Sequence, residues 1–219
     1  MNIKERFGEA LKELYKEHSE NSPILKRGFA INESIEGGTI IFIGLNPSYT
    51  LKNEPANPEE IFYSLAQRDN YKYFKKFEEI SKCTRISWSH LDLLTIRETR
   101  QKKVLDLVKN EDGLEFIWKH LLLTKQILEA LDPKVIVVAN TAARMFLGKD
   151  VDEKGKNRWL DYKFKFDDNI GTYRVAKKYS GLNNTPVFFT SMLTGQRALD
   201  NGSFDRLKWH INYVLNQIT

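Results

Sequence analysis

Residues 39–48, with the sequence TIIFIGLNPS, combine an apolar β-branched run with a polar turn. A short apolar run bounded by turn residues is typical of a strand buried on both faces of an α/β sheet. Ligands of such sheets bind beyond the carboxyl ends of the strands, where Asn46 would lie. Gly44 would allow a tight turn, Pro47 fixes its own φ, and the amide of Asn46 can orient a water or a base. An ordinary turn after a core strand uses the same residue types, so both interpretations remain open.

Three further segments have strand character: residues 88–94, 134–139 and 186–190. Helical patterns separate these four strands, which predicts a three-layer α/β/α sandwich with a four-stranded, mainly parallel central sheet. Residues 162–166 and 172–176 alternate around a polar turn and predict a separate hairpin, and a helix is expected within residues 58–81. The sequence contains neither repeats nor a Pro/Ser-rich linker, so one domain over residues 1–219 is the economical interpretation.

Composition places the chain among globular proteins. Of its 219 residues, 41% are hydrophobic and 29% charged, and no apolar run approaches the ~18 residues of a membrane span. Cys83 is the only cysteine, which excludes an intramolecular disulfide, a four-cysteine iron–sulfur cluster and a cysteine zinc site. We therefore expect a cytoplasmic monomer that uses neither a membrane nor a metal.

The net charge of +5 makes a polyanionic partner plausible. Basic residues cluster at Lys72, Lys75 and Lys76, at Arg97, Arg100, Lys102 and Lys103, and at Lys177 and Lys178. Such patches are typical of proteins that contact phosphate backbones, although solvated helix faces carry them as well.

Four segments together resemble the uracil-DNA glycosylase superfamily. Residues 44–48 (GLNPS) are similar to the first motif of its mismatch-specific and thymine-DNA glycosylase branch, GINPG, and residues 192–197 (MLTGQR) resemble that branch's second motif. Residues 92–97 (DLLTIR) are similar to its mid-chain strand end, and residues 61–65 (IFYSL) lie where relatives carry an aromatic residue that stacks on the base. The resemblance covers roughly residues 39–215 and implies a cofactor-free enzyme of DNA repair, associated with the nucleoid if the source is bacterial.

The resemblance implies roles for individual residues. Asn46 and Thr194 would be catalytic, with the oxygen of Asn46 holding the attacking water, and replacing Asn46 by aspartate is expected to raise the rate because a carboxylate takes a proton better. The flipped base would be bound by Gly44, Leu45, Pro47, Ser48, Tyr63, Asp92 and Met192. DNA would be contacted by Arg97, Lys102, Lys103, Gly195, Gln196, Arg197 and Leu199.

Two departures from the family pattern bear on the substrate. Asp92 replaces an asparagine, and an ionised carboxylate only accepts hydrogen bonds, so it favours a base edge rich in N–H donors or must itself be protonated. Asp92 could equally pair with Arg97 or Arg100. Met192 stands where strong uracil glycosylases have a histidine, so backbone N–H groups near Thr194 and Gly195 would have to stabilise the departing base.

Two other functions remain open. The scaffold could bind nucleic acid without catalysis, or it could hydrolyse a free nucleoside or another small ligand in the same crevice. Both motif loops are expected to leave adjacent parallel strands, so that Gly44, Asn46 and Ser48 face Thr194, Gly195 and Arg197. His90 lies near Asp92 in the sequence and could reach the same pocket.

Overall fold

The computed structural model describes residues 1–20, 22–49, 59–65, 72–148, 159–176, 181–195 and 198–218. In this part of the chain a central sheet has six strands, in the spatial order β4 (Trp88–Asp92), β2 (Ile40–Gly44), β5 (Val135–Val138), β8 (Pro186–Phe189), β7 (Thr172–Val175) and β6 (Phe164–Asp167). The first four are parallel, and β7 and β6 continue the sheet in antiparallel pairing.

The expectation of a mainly parallel α/β sheet is confirmed, but the expected number of four strands is wrong. The predicted hairpin forms as β6 and β7, and it joins the sheet because Tyr173 pairs with Val187 of β8. The hydroxyl of Thr172 also donates to the carbonyl of Val187 at 2.7 Å. The hairpin thereby covers an edge of β8 that would otherwise present unpaired backbone groups.

Helices pack on both faces of the sheet because the strand side chains alternate. Ile41 and Ile43 point into a core formed with α1 (Ile3–His18) and α4 (Glu111–Leu131). Ile40 and Phe42 point into a second core with α2 (Lys75–Thr84) and α6 (Asn201–Ile218). Each such side chain contributes about 1.5–3 kcal/mol when fully buried. Two shorter helices, α3 (Gln101–Asp106) and α5 (Thr141–Leu147), follow β4 and β5.

A separate two-stranded parallel sheet forms from β1 (Gly28–Asn32) and β3 (Glu59–Tyr63). The expected helix within residues 58–81 is therefore wrong for residues 59–63, which form β3, and α2 begins only at Lys75. Gly28 has a φ of +72°, and a Cβ atom there would lie 2.1 Å from the carbonyl oxygen of Glu59, so glycine lets the two strands meet. The N–H of Ala30 donates to the carbonyl of Thr95 at 3.1 Å, which attaches this sheet beside the end of β4.

A buried polar network fixes the segment that follows β4. The imidazole Nε2 of His120 lies 2.7 Å from the hydroxyl of Thr95, which in turn lies 3.1 Å from the hydroxyl of Tyr15. Burial lowers the pKa of His120 to about 4, so this histidine is neutral at physiological pH. The network joins α1, α4 and the loop after β4 without introducing a charge.

In the described part of the chain, none of the helices combines the length and apolar character needed to cross a membrane.

Candidate active site

A cavity of about 290 Å³ opens at the carboxyl ends of β2, β4 and β5, with one wall from the small β1–β3 sheet. Eight of the predicted site residues line it: Leu45, Asn46, Pro47, Ser48, Tyr63, Asp92, Arg97 and Met192. Its volume is at the lower end of the range of small-molecule pockets, about 300–1,000 Å³. A larger cleft of about 620 Å³ runs along the β6–β7 hairpin, where Arg174 and Asp167 form an ion pair, but it includes none of the motif residues.

The side chain of Asn46 is held in one orientation. Its two amide N–H groups are shared among three backbone carbonyls, those of Pro47, Ile96 and Glu98, whose oxygens lie 3.1, 3.0 and 2.6 Å from the nitrogen. Three carbonyls around one end of the amide identify that end as nitrogen, because an oxygen there would be repelled. The other end, Oδ1, is buried and accepts no hydrogen bond from any described residue, and Asn46 is one of the residues that line the cavity. A buried acceptor without a donor costs about 1–3 kcal/mol, so this position suits a water or ligand N–H or O–H group.

Gly44 provides space rather than a turn. It is the last residue of β2, it pairs with Asp92 of β4, and its φ is outside the left-handed region. A Cβ atom at this position would lie 2.1 Å from Oδ1 of Asp92 and 3.2 Å from Nε2 of His90. The tight turn expected at Gly44 is therefore wrong, and the missing side chain instead leaves room for the carboxylate of Asp92.

We expect Gly44→Ala to lower the activity of the site about tenfold, because the added methyl group displaces the carboxylate of Asp92. Asp92→Ala removes the clashing oxygen, so adding Gly44→Ala to Asp92→Ala should lower the steady-state rate little further. Steady-state rates of the two single variants and the double variant measure this coupling. Gly202→Ala, on α6, is the control for the substitution itself. Additive losses would mean that Gly44 acts independently of Asp92.

Asp92 lies at the cavity with only 11% of its side chain exposed, and its Oδ1 is 3.6 Å from Nε2 of His90. His90 itself lines the cavity, as the sequence suggested, and its ring packs against Tyr73 and Phe74. Burial, with a further contribution from the charge of Asp92, raises the pKa of Tyr73, so its hydroxyl stays protonated. The expected pairing of Asp92 with Arg97 or Arg100 is not among the described ion pairs.

Aromatic side chains form much of the remaining wall. Tyr63, at the end of β3, is 8% exposed and borders the cavity together with Tyr73 and Phe74. Rings in this position offer π-faces to a planar ligand. Tyr63 is supplied by a strand, whereas the sequence predicted a helix at this position.

Among the described residues of the loop after β8, Met192 alone lines the cavity. The expectation that the two motif loops leave adjacent strands is wrong, because β5 lies between β2 and β8. Leu193 is buried in the second core, and the N–H of Leu199 donates to the carbonyl of Met192 at 3.0 Å, so the chain turns back at this point. Among the described residues Thr194, Gly195 and Leu199 do not line the cavity, and Leu199 packs against the second core. Gln196 and Arg197 lie outside the described residues.

The predicted DNA-contacting cations differ in their surroundings. The guanidinium of Arg97 is mostly buried, and it donates to the half-exposed carboxylate of Glu59 and to the carbonyl of Arg27 and stacks over Tyr49. Lys102 and Lys103, on α3, are exposed, with Lys102 ion-paired to Asp106 and Lys103 lying 3.8 Å from Glu98. A shallow pocket that includes Arg100 and Lys103 adjoins this segment.

Sequence reasoning missed Asn140, Tyr73 and Phe74 as cavity residues. Asn140 directly follows β5, so the rule that ligands bind at the carboxyl ends of parallel strands could have identified it. Its Oδ1 accepts hydrogen bonds from the N–H groups of Ala142 and Ala143 and caps α5. The sequence offers no comparable signal for Tyr73 and Phe74, since aromatic residues before a helix are common in cores.

One group of described side chains has a spacing compatible with metal ligands, namely Glu17, His18 and Glu115. None of the three lines the cavity, and Lys119 forms ion pairs with both glutamates.

Comparison of the chain with protein-family models, with curated proteins and with solved structures gave no match.

Proposed function

We propose that the chain is a DNA glycosylase of the uracil-DNA glycosylase superfamily, which hydrolyses the N-glycosidic bond of a damaged or deaminated base without a cofactor. The observation that carries the proposal is the orientation of Asn46, a residue of the cavity lining whose nitrogen is bound to three carbonyls while its buried oxygen has no hydrogen-bond partner among the described residues. A fixed acceptor of this kind suits a water molecule that must attack in one direction.

The chemistry of the bond agrees with such a site. Cleavage of an N-glycosidic bond passes through a cationic, oxocarbenium-like sugar, and the bond becomes accessible only when the nucleotide is extruded from the duplex. Oδ1 of Asn46 would accept a hydrogen bond from the water and direct its oxygen toward C1′ of the sugar. An amide is a poor base, so the water would lose its proton late and the enzyme would be slow.

The rest of the cavity suits a planar, partly polar base. Tyr63 and Phe74 offer aromatic faces, and Asp92 with His90 offers polar groups to one edge. Thr194 and Gly195, which the resemblance made responsible for the departing base, do not line the cavity among the described residues. The proposal therefore assigns them no contact with the base.

The test is a strand-cleavage assay after alkali treatment. Duplex and single-stranded oligonucleotides that carry one uracil, hypoxanthine, xanthine or alkylated purine are incubated with the protein, and an abasic site left by excision breaks the strand in alkali. Cleavage of at least one substrate, absent without protein, is the expected result. Failure on every substrate would refute the glycosylase assignment and favour a nucleic-acid-binding protein without catalysis.

DNA binding is expected to depend on the exposed cations beside the cavity. Replacing Arg100 and Lys103 by glutamine should make the slope of log K against log salt shallower by about 2, since each phosphate contact contributes about 0.9. Lys16→Gln with Lys134→Gln removes the same charge from exposed positions outside the cavity and should leave the slope nearly unchanged. Fluorescence anisotropy with a labelled duplex measures both slopes.

Equal slopes for the two double variants would contradict the proposed position of the DNA. An affinity that does not depend on salt in the unmodified protein would instead favour hydrolysis of a free nucleoside, a function that the pairing of Arg97 with Glu59 also suits.

A further inference from the structure

A histidine far from the motif residues is buried without a hydrogen bond. His18 is the last residue of α1, its side chain is only 3% exposed, and its ring packs edge-on against Phe116 of α4. Neither Nδ1 nor Nε2 of this ring has a hydrogen-bond partner among the described residues. A buried imidazole always carries at least one N–H donor and, when neutral, one acceptor, so leaving both unpaired is costly. The proposed glycosylase site does not use His18, so its position needs another explanation.

Two carboxylates converge beside this ring. Glu17 precedes His18 at the end of α1, Glu115 lies near the beginning of α4, and one ligand atom from each of the three residues lies within 4.8 Å of the other two. Nζ of Lys119 lies 2.8 Å from a carboxylate oxygen of Glu17 and 2.9 Å from one of Glu115. The two carboxylates therefore already meet at one positive charge, next to a histidine whose nitrogens are unpaired.

We propose that Glu17, His18 and Glu115 form a binding site for a divalent transition-metal ion, with Zn²⁺ as the representative case, which joins α1 to α4. The proposal goes beyond the glycosylase function and does not depend on it. Imidazole nitrogens and carboxylate oxygens are ordinary zinc ligands, and three protein ligands with one water complete a tetrahedral coordination. Mg²⁺ and Ca²⁺ prefer sets made of oxygen atoms, so the histidine selects against them.

The spacing of the groups fits such an ion. Nε2 of His18 lies 3.7 Å from Oε2 of Glu17, which is too long for a hydrogen bond. Two ligands of a tetrahedral zinc with bonds of about 2.1 Å are about 3.4 Å apart, so only a small shift is needed. Oδ1 of Asp112 lies 3.7 Å from Nδ1, the other ring nitrogen. Metal-bound histidines usually donate their second N–H to a carboxylate, so Asp112 would fix the orientation of the ring.

Lys119 would have to leave when the metal binds. An ammonium group and a metal ion at the same two carboxylates repel each other strongly. The side chain of Lys119 is 37% exposed and can turn into the solvent, while those of Glu17 and Glu115 are more than half exposed and can rotate toward the ion. Lys119 is therefore an internal competitor of the metal, and removing its charge should tighten metal binding.

Titration of the whole chain with zinc chloride tests the proposal. The protein is stripped of metal with a chelator, dialysed, and titrated in competition with a chromophoric chelator. We expect one Zn²⁺ per chain and a thermal midpoint that rises with the zinc concentration. His18→Phe and Glu115→Gln should each weaken zinc binding at least ~10-fold, and Lys119→Met should tighten it about tenfold. Glu111→Gln, the same chemical change one turn earlier on the exposed side of α4, should leave the affinity unchanged.

A second control concerns the exposed thiol of Cys83, because cysteine is a strong zinc ligand. Cys83→Ser should leave the zinc affinity unchanged. Failure to bind zinc, loss of binding in Cys83→Ser, or an unchanged affinity in both Glu115→Gln and Lys119→Met would overturn the proposal. Those last two variants change side chains at the surface, so the test stands even where His18→Phe does not fold. Base excision is measured separately, so none of these outcomes decides the glycosylase function.

Discussion

Asn46→Ala is expected to lower single-turnover base excision by about 10²–10³-fold while DNA affinity stays within about twofold, because the lost contact holds the water in the transition state rather than the DNA. The alanine variant also removes the amide nitrogen that donates to the carbonyls of Pro47, Ile96 and Glu98, so circular dichroism is needed to check that the fold is retained. Excision is followed by quenched-flow strand cleavage on the best substrate, and affinity by anisotropy on the same duplex. An unchanged rate in the alanine variant would mean that Asn46 only shapes the turn.

The variant Asn46→Asp tests whether the fixed orientation of this side chain or its ability to accept a proton matters more for the rate. The sequence alone suggested a faster enzyme, because a carboxylate accepts a proton better than an amide. In the structure the amide nitrogen donates to three carbonyls, and a carboxylate oxygen in its place would face the same three acceptors. We therefore expect Asn46→Asp to be slower than the unmodified protein, with circular dichroism as the check that the fold is retained. A faster Asn46→Asp enzyme would show that basicity outweighs orientation.

The second large effect concerns stability. Arg27 and Glu98 form a buried ion pair at 2.7 Å, with side chains only 7% and 6% exposed. Arg27→Met is expected to lower the free energy of unfolding by about 3–5 kcal/mol, because it leaves a buried carboxylate without its main partner. Urea denaturation monitored by tryptophan fluorescence measures the loss. Lys102→Met, which breaks the exposed pair with Asp106, is the control and should cost less than about 1 kcal/mol.

The loss of stability caused by Arg27→Met should depend on pH in a defined direction. Burial alone would raise the pKa of Glu98, but hydrogen bonds from the Arg100 N–H and from Arg27, with the charges of Arg27 and Lys103, outweigh it and lower the pKa. The stabilisation is therefore present above the unfolded-state pKa of about 4.3 and is lost as pH falls below it. The difference in the free energy of unfolding between the unmodified protein and Arg27→Met should therefore become smaller toward pH 3. A gap that stays constant from pH 7 to pH 3 would contradict the ion-pair explanation.

This pair also connects stability to the candidate site. The carbonyl of Glu98 accepts one of the hydrogen bonds from Asn46, and the N–H of Glu98 donates to the carbonyl of Pro47. Loosening Glu98 should therefore reduce excision in Arg27→Met even at temperatures where the variant remains folded.

The parallel core of the sheet was predictable from the sequence because β2, β5 and β8 are continuous apolar runs. The attachment of the hairpin was not, since the pairing of Tyr173 with Val187 leaves no local signal. The strand formed by residues 59–63 was not predictable for the same reason. It forms by pairing with β1, which is distant in the chain. Long-range pairing overrides the local pattern in both cases.

For the candidate site, the sequence singled out Asn46, Tyr63, Asp92 and Met192, and all four line one cavity. It misjudged the role of Gly44, because a missing side chain looks the same whether it permits a turn or makes room for Asp92. It also overestimated the contribution of the loop after β8 to the cavity, because the spacing of motifs does not reveal that β5 separates β2 from β8.

The small β1–β3 sheet has a consequence for the order of folding. Ala30, Ile61 and Tyr63 close one wall of the cavity, and Ala30 is tied to Thr95, far along the chain. Contacts between segments distant in sequence carry a large loop-closure entropy and tend to form slowly. The cavity around Asn46 is therefore completed only after β4 and the segment beyond it have joined the fold. A partly folded chain would carry the first motif intact and still lack a closed cavity.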